Sequence, residues 1–188
     1  MNLVTGATGH IGNVLVRELL AGGQRVRALV RSGNIPPALA GLDVEIVHGD
    51  VLDRDSLERA MLGVSLVYHL AARISLSSGP DPETERVNLE GTRNVIAAMR
   101  RSSAVRLVYA SSVYALRKPA GGAPIDESQP FDALHCQGAY DRSKAHASLA
   151  EVYVLRDDFP AAWRHARLAE TNGDPSVVEM LTRYGVAE

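Results

Sequence analysis

The sequence is short of cysteine, of aromatic side chains and of any excess of charge. One cysteine, Cys136, among 188 residues leaves nothing for an internal disulfide to pair with and fits a reducing compartment. Lys and Arg number 20 against 22 Asp and Glu, a net charge of −2, so the basic field that nucleic acid or an anionic membrane surface would need is missing. No apolar run approaches the ~20 residues of a membrane-spanning helix. The first residues already read as a strand, so no signal peptide is expected and the cytoplasm is the expected location. Six histidines (His10, His48, His69, His135, His146, His165) lie scattered, without carboxylates or thiols at ligand spacing, and no metal site is expected. What is present is a chain 46% apolar and 22% charged, the balance of an ordinary globular protein with a real core. Its length suits one domain, or one domain with an appendage.

The organising stretch stands at the front: Thr5-Gly6-Ala7-Thr8-Gly9-His10-Ile11-Gly12. It follows the apolar pair Leu3-Val4 and leads into Val14 to Leu20, whose apolar residues recur at helical spacing. Strand, glycine turn and helix in that order form an entry for a nucleotide. Gly6 can make the tight turn, Gly9 can let the backbone approach a pyrophosphate, and Gly12 can let the helix pack closely. The amides and positive dipole at the start of the helix would hold the phosphates.

Strands and helices then alternate. Arg25–Val30, Val44–Val47, Ser65–Ala72 and Val105–Tyr109 read as strands. Ser56–Met61, capped by Asp55, Glu83–Met99 and Ala139 to about Arg156 read as helices. This alternation predicts an α/β fold with a doubly wound parallel sheet. Arg31 follows the second strand, where a dinucleotide site often carries an acidic residue for the adenosine ribose. A guanidinium there suits a 2′-phosphate, so NADP is expected ahead of NAD. Asp50, after the third strand, can accept from the adenine amino group or simply form a turn. Tyr140 and Lys144 stand one helical turn apart and share a face. An ammonium beside a phenol favours the ionised oxygen and suits the pair to exchanging a proton with a substrate.

Together these segments resemble the short-chain dehydrogenase/reductase superfamily, in its extended branch of NAD-dependent epimerases and dehydratases. The residues carrying the resemblance are Thr5 to Gly12, Gly49-Asp50-Val51, His69-Leu70-Ala71-Ala72, the helix Val87 to Val95 and Tyr140-Asp141-Arg142-Ser143-Lys144. The resemblance implies a Rossmann-like fold and a nicotinamide cofactor held by Gly6, Thr8, Gly9, His10, Ile11, Gly12, Arg31, Asp50, Val51, Leu70, Ala71 and Ala72. Tyr140 and Lys144 also belong to that cofactor set. The implied catalytic residues are Ser112, with Ser111 as the alternative, Tyr140 and Lys144. A small-molecule substrate bearing a hydroxyl or carbonyl, such as a nucleotide-sugar, is implied as partner, with neither nucleic acid nor membrane.

After Ala150 the resemblance fades, and the substrate-binding segments of the extended branch are not recognisable. The expected division is a dinucleotide-binding domain over residues 1–156 and a helical tail over 157–188. Leu149, Ala150, Tyr153, Ala162 and Ala169 give that tail a tetratricopeptide-like helical-hairpin pattern. A single such unit cannot bury its own face, so it is expected to pack on the sheet domain or on a second copy of the chain. Two functional readings stay open: an enzyme of this branch, or a dinucleotide-binding or protein-interaction module without turnover.

Overall fold

A computed structural model describes residues 1–155 apart from residue 32, residues 76–78, 105, 120, 122, 127–128 and 133–137; of residues 149–155 it describes the backbone alone. The helical tail, with its hairpin pattern and the domain boundary at 156, lies outside the described residues. The chain forms two compact units. The first comprises Met1–Arg73 and Arg86–Ala110, and the second Ile74–Glu85 and the chain from Ser111 onward.

The first unit holds a five-stranded parallel sheet: β1 (Asn2–Thr5), β2 (Val26–Val30), β3 (Glu45–His48), β4 (Leu66–His69) and β5 (Arg106–Tyr109). The spatial order is β3-β2-β1-β4-β5. The expected strands are all present, each shifted or trimmed by a few residues at its ends. Because β1 lies between β2 and β4, the chain changes direction of winding at β1, and crevices for ligands form at the carboxyl ends of strands there. Side chains alternate between two layers. Val4, Ala28 and Val30 pack with Val16 and Leu19 of α1 (His10–Ala21) on one face. Leu3, Leu29 and Val67 pack on the other with Leu57 and Met61, and with Val95 and Met99. These come from the region of α2 (Arg54–Ala60) and from α4 (Gly91–Met99). Sequence periodicity therefore yields a doubly wound, Rossmann-like α/β sheet.

Helix ends show the local chemistry. At the end of α1, Gly23 is left-handed at φ +71°, and Gly23 and Gln24 donate back to Leu20 and Leu19, closing the helix on its last carbonyls. Arg27 on β2 pairs with Glu45 on β3 at 2.8 Å and donates to the carbonyls of Ala60 and Leu62, at 2.7 Å each. A cation thus sits where the dipole of α2 ends. The cap of α2 is Asp53, two residues earlier than expected: its carboxylate accepts from the amides of Asp55 and Ser56, and Asp55 stands inside the first turn. The expected helix over residues 83–99 is interrupted. It consists of α3 (Pro82–Glu85), a π-helical turn at Arg86–Glu90 and then α4.

The second unit contains α3, a 3-10 turn at Val113–Ala115 and α5 (Ala139–Leu155). Arg142 of α5 pairs with Glu85 of α3 at 3.1 Å. Ala145 packs with Ala115 and Phe131, and Leu116 bridges Phe131 in antiparallel fashion. Arg117 pairs with the buried Asp132 at 3.0 Å.

Replacing the cap, Asp53→Ala, is expected to lower the unfolding free energy by ~1 kcal/mol, and Asp55→Ala by only a few tenths. Chemical denaturation of the two variants checks this, and equal losses would contradict the cap assignment.

Candidate active site

In the first unit the glycine turn is built backbone against backbone. Gly6 follows β1 with φ +71°, and a Cβ there would stand 2.7 Å from both the Ala71 nitrogen and the Leu70 carbonyl carbon. A Cβ on Gly12 would enter the carbonyl oxygen of Gly6. Gly12 therefore closes α1 onto the turn itself rather than onto the flank of the strand. Gly9 differs. Its φ of −76° suits any residue, and among the described residues beyond its chain neighbours a Cβ there would meet the Gly6 oxygen alone, at a tight 3.3 Å. The backbone conformation does not demand this glycine, and a side chain there would need the Gly6 carbonyl to give by only a few tenths of an ångström, far less than at Gly6 or Gly12. Gly9 is also the N-cap of α1 and has no side chain with which to cap it. The opening amides of α1 thus present the positive end of a helix, the arrangement that binds a phosphate. Thr8, Gly9, His10 and Ile11 are all exposed around it.

Other residues named from sequence lie at neighbouring strand ends. Arg31 is exposed immediately after β2. The Gly49 amide donates to the Val30 carbonyl at 2.9 Å, which brings the ends of β2 and β3 side by side, with Arg31 and Asp50 beyond them. One carboxylate oxygen of Asp50 accepts from the Leu52 amide at 2.8 Å, so part of this side chain forms the turn. Val51 turns its side chain into the core, where Gly91 leaves room for it, so only its backbone can face a ligand. The Leu70 amide donates to the Thr5 carbonyl at 3.2 Å, and Ala71 and Ala72 follow, half-buried and exposed. The sheet thus gathers Gly6, Gly12, Leu70 and Ala71 at one point and sets Arg31 and Asp50 on adjoining strand ends.

The second unit carries the residues that the sequence resemblance names as catalytic. Tyr140 lies in the first turn of α5 and is half-buried, while Lys144, one turn on, is buried at 3% exposure. Ser112 caps the 3-10 turn, its Oγ accepting from the Tyr114 amide at 3.2 Å. Ser111 is held by a residue that the sequence motifs do not single out. Its Oγ is 2.6 Å from the Oγ of Ser148, which donates to the Lys144 carbonyl at 2.8 Å. Since the one hydroxyl hydrogen of Ser148 is committed, Ser111 is the donor to Ser148. Ser112 acts only as an acceptor within its turn, so its own O–H can be given to a substrate oxygen. The i+4 spacing of Lys144 and Ser148 is the signal in the sequence for this contact.

The fold and the glycine turn together define a protein of the dinucleotide-binding α/β class. Residues 2–162 match the model of the NAD dependent epimerase/dehydratase family, and the chain belongs to that family. It is 42% identical over 143 residues to the sterol demethylase protein B of Methylococcus capsulatus, covering 76% of this chain and 43% of that protein. With the 3 beta-hydroxysteroid dehydrogenase type 7 of Rattus norvegicus it shares 35% over 163 residues, 81% of this chain and 47% of the relative. Among solved structures, the UDP-glucose 4-epimerase of Thermus thermophilus in complex with NAD superposes with a TM-score of 0.69 at 31% identity. That match covers 81% of this chain and 50% of the epimerase. The chain thus spans less than half the length of these two curated relatives.

The turn geometry separates the glycines by role. Gly12→Ala is expected to cost ~1–3 kcal/mol, because the new methyl must displace backbone. Gly9→Ser is expected to stay within ~0.5 kcal/mol of the parent, because serine is a good N-cap. Denaturation midpoints decide, and a destabilised Gly9→Ser variant would show that Gly9 serves the fold.

Proposed function

We propose that this chain is the cofactor-binding and proton-transferring part of an NAD(P)-dependent oxidoreductase or epimerase/dehydratase. Its substrate carries a hydroxyl or carbonyl on a ring compound, such as a sterol or a nucleotide-sugar. The observation that carries this reading is the exposed start of α1, whose N-cap is Gly9 and so gives the opening amides no side-chain cap of its own. The residues present fit a dinucleotide. The amides of Gly9 to Gly12 would bind its phosphates, and Asp50, Leu70, Ala71 and Ala72 would flank its adenosine. Arg31 would pair with a 2′-phosphate, favouring NADP.

A nicotinamide dinucleotide, when bound, supplies the group that gives or takes hydride. The chain supplies the rest. Ser112 donates its hydroxyl hydrogen to the substrate oxygen and stabilises the charge developing there. Tyr140 gives a proton to that oxygen in the reducing direction and takes it in the oxidising direction. The Lys144 ammonium stabilises the phenolate that appears when the proton has left. The relatives named above support both a steroid-like and a sugar-nucleotide substrate, and a second copy of the chain is the partner that would complete a substrate pocket.

Three variants test the reading. Gly9→Ser is expected to abolish or strongly weaken NADPH binding in a fluorescence titration while the fold survives. Arg31→Asp is expected to lower NADPH affinity roughly ten- to a hundredfold relative to NADH, the equivalent of ~1.5–3 kcal/mol for a charge-assisted contact. Tyr140→Phe is expected to keep NADPH binding and lose ~10²–10⁴-fold in turnover. A parent chain that binds NADPH, yet turns over no sterol, hydroxysteroid or nucleotide-sugar, would favour a binding module without turnover.

A further inference from the structure

We propose that His69, a neutral imidazole with its proton on Nε2, is a positioning residue for the glycine turn. This inference rests on the dinucleotide reading given above. His69 is the last residue of β4, is 1% exposed and stacks on Tyr109 at 5.6 Å between ring centroids. Its two ring nitrogens face two threonine hydroxyls: Thr5 Oγ1 at 2.7 Å from Nδ1 and Thr92 Oγ1 at 3.0 Å from Nε2. The direction of each hydrogen bond follows from what lies beyond. Thr92 gives its single hydroxyl hydrogen to the Asn88 carbonyl at 2.6 Å, so toward His69 it can only accept. Nε2 must therefore carry a hydrogen. In the neutral ring Nδ1 is then bare and accepts from the Thr5 hydroxyl. Thr5 Oγ1 in turn accepts from the Ala71 amide at 3.2 Å. Every donor in the series from the Ala71 amide to Thr92 finds one acceptor.

The relay ends where the site begins. Thr5 is the residue before Gly6, and the Ala71 nitrogen is one of the two atoms that a Cβ on Gly6 would approach to 2.7 Å. The hydroxyl of Thr5 thus ties the start of the turn to the backbone segment it crowds, and His69 fixes the rotamer of that hydroxyl. At the other end, Thr92 opens α4 and Asn88 sits in the π-helical turn. The Asn88 side chain accepts from the Arg73 amide at 2.8 Å and donates to the Arg73 carbonyl at 2.9 Å, so the segment after β4 is held at both Ala71 and Arg73. An imidazole offers a donor and an acceptor on opposite edges of one rigid ring, which no other neutral side chain provides across this span.

The test uses the full chain and NADPH as probe, with affinity measured at a temperature where each variant is fully folded. Thr5→Val removes the hydroxyl at constant shape and is expected to raise the NADPH dissociation constant about tenfold. Thr92→Val is expected to raise it less. The double variant is expected to be no weaker than Thr5→Val alone, because both act through one ring. Thr5→Ser restores the oxygen and is expected to return affinity to within about twofold of the parent. Nitrogen-15 NMR of the imidazole is expected to report the neutral Nε2–H form in the parent chain. The proposal is overturned if the valine variants lose thermal stability but bind NADPH as the parent does. It is also overturned if the ring is charged at pH 7 or protonated on Nδ1. A parent chain that binds neither NADPH nor NADH would instead refute the dinucleotide reading itself, a result distinct from variants that bind normally.

Discussion

Two backbone segments meet at Gly6 with no side chain between them. The turn after β1 crosses the backbone of Leu70 and Ala71 so closely that a single methyl on Gly6 would have to move main chain. Gly12 repeats the constraint from the other side, bringing α1 onto the Gly6 carbonyl. Strand, turn and helix are thereby compressed into a unit in which Gly9, exposed at the start of the helix, is less tightly confined than Gly6 and Gly12. The parallel sheet places this unit at its switch point because β1 lies between β2 and β4. The contact sets the start of α1 at this switch point, and the sheet pairing sets the strand ends bearing Arg31 and Asp50 on the same side.

Around the turn, polar groups are buried only where each has a partner. Thr5, His69, Thr92 and Asn88 are each at most 1% exposed, and each is hydrogen-bonded. Such groups in an apolar interior would cost free energy if unpaired, so the network specifies one arrangement rather than adding much net stability. The second unit uses the same means on a smaller scale. Ser111 donates to Ser148, which donates to the Lys144 carbonyl, whereas the adjacent Ser112 hydroxyl accepts from the Tyr114 amide.

Much of the fold is legible in the sequence because it depends on local pattern. Alternating apolar residues place the strands, and Gly6, Gly9 and Gly12 announce the turn. What cannot be read depends on contacts distant in sequence. The break in the helix after Glu85 coincides with Asn88 binding the Arg73 backbone, a partner 15 positions away that no periodicity encodes. Asp53 and Asp55 are both competent caps, and only the course of the chain into α2 selects Asp53. Val51 resembles a ligand residue by its neighbour Asp50, yet the missing side chain of Gly91 gives it a place in the core. In the sequence, His69 stands out only as the first residue of the His69-Leu70-Ala71-Ala72 segment that carries the family resemblance. Its relay needs Thr5 and Thr92, 64 and 23 positions away.

The proposed function requires the opening amides of α1 to receive the phosphates of a dinucleotide. Amide NMR of the uniformly labelled chain, titrated with NADPH, tests it at the atoms concerned. The largest shift changes are expected on Gly9, His10, Ile11 and Gly12, with smaller ones at Arg31 and Ala71. Saturable binding that leaves those four amides unmoved, or no binding at all, would contradict it.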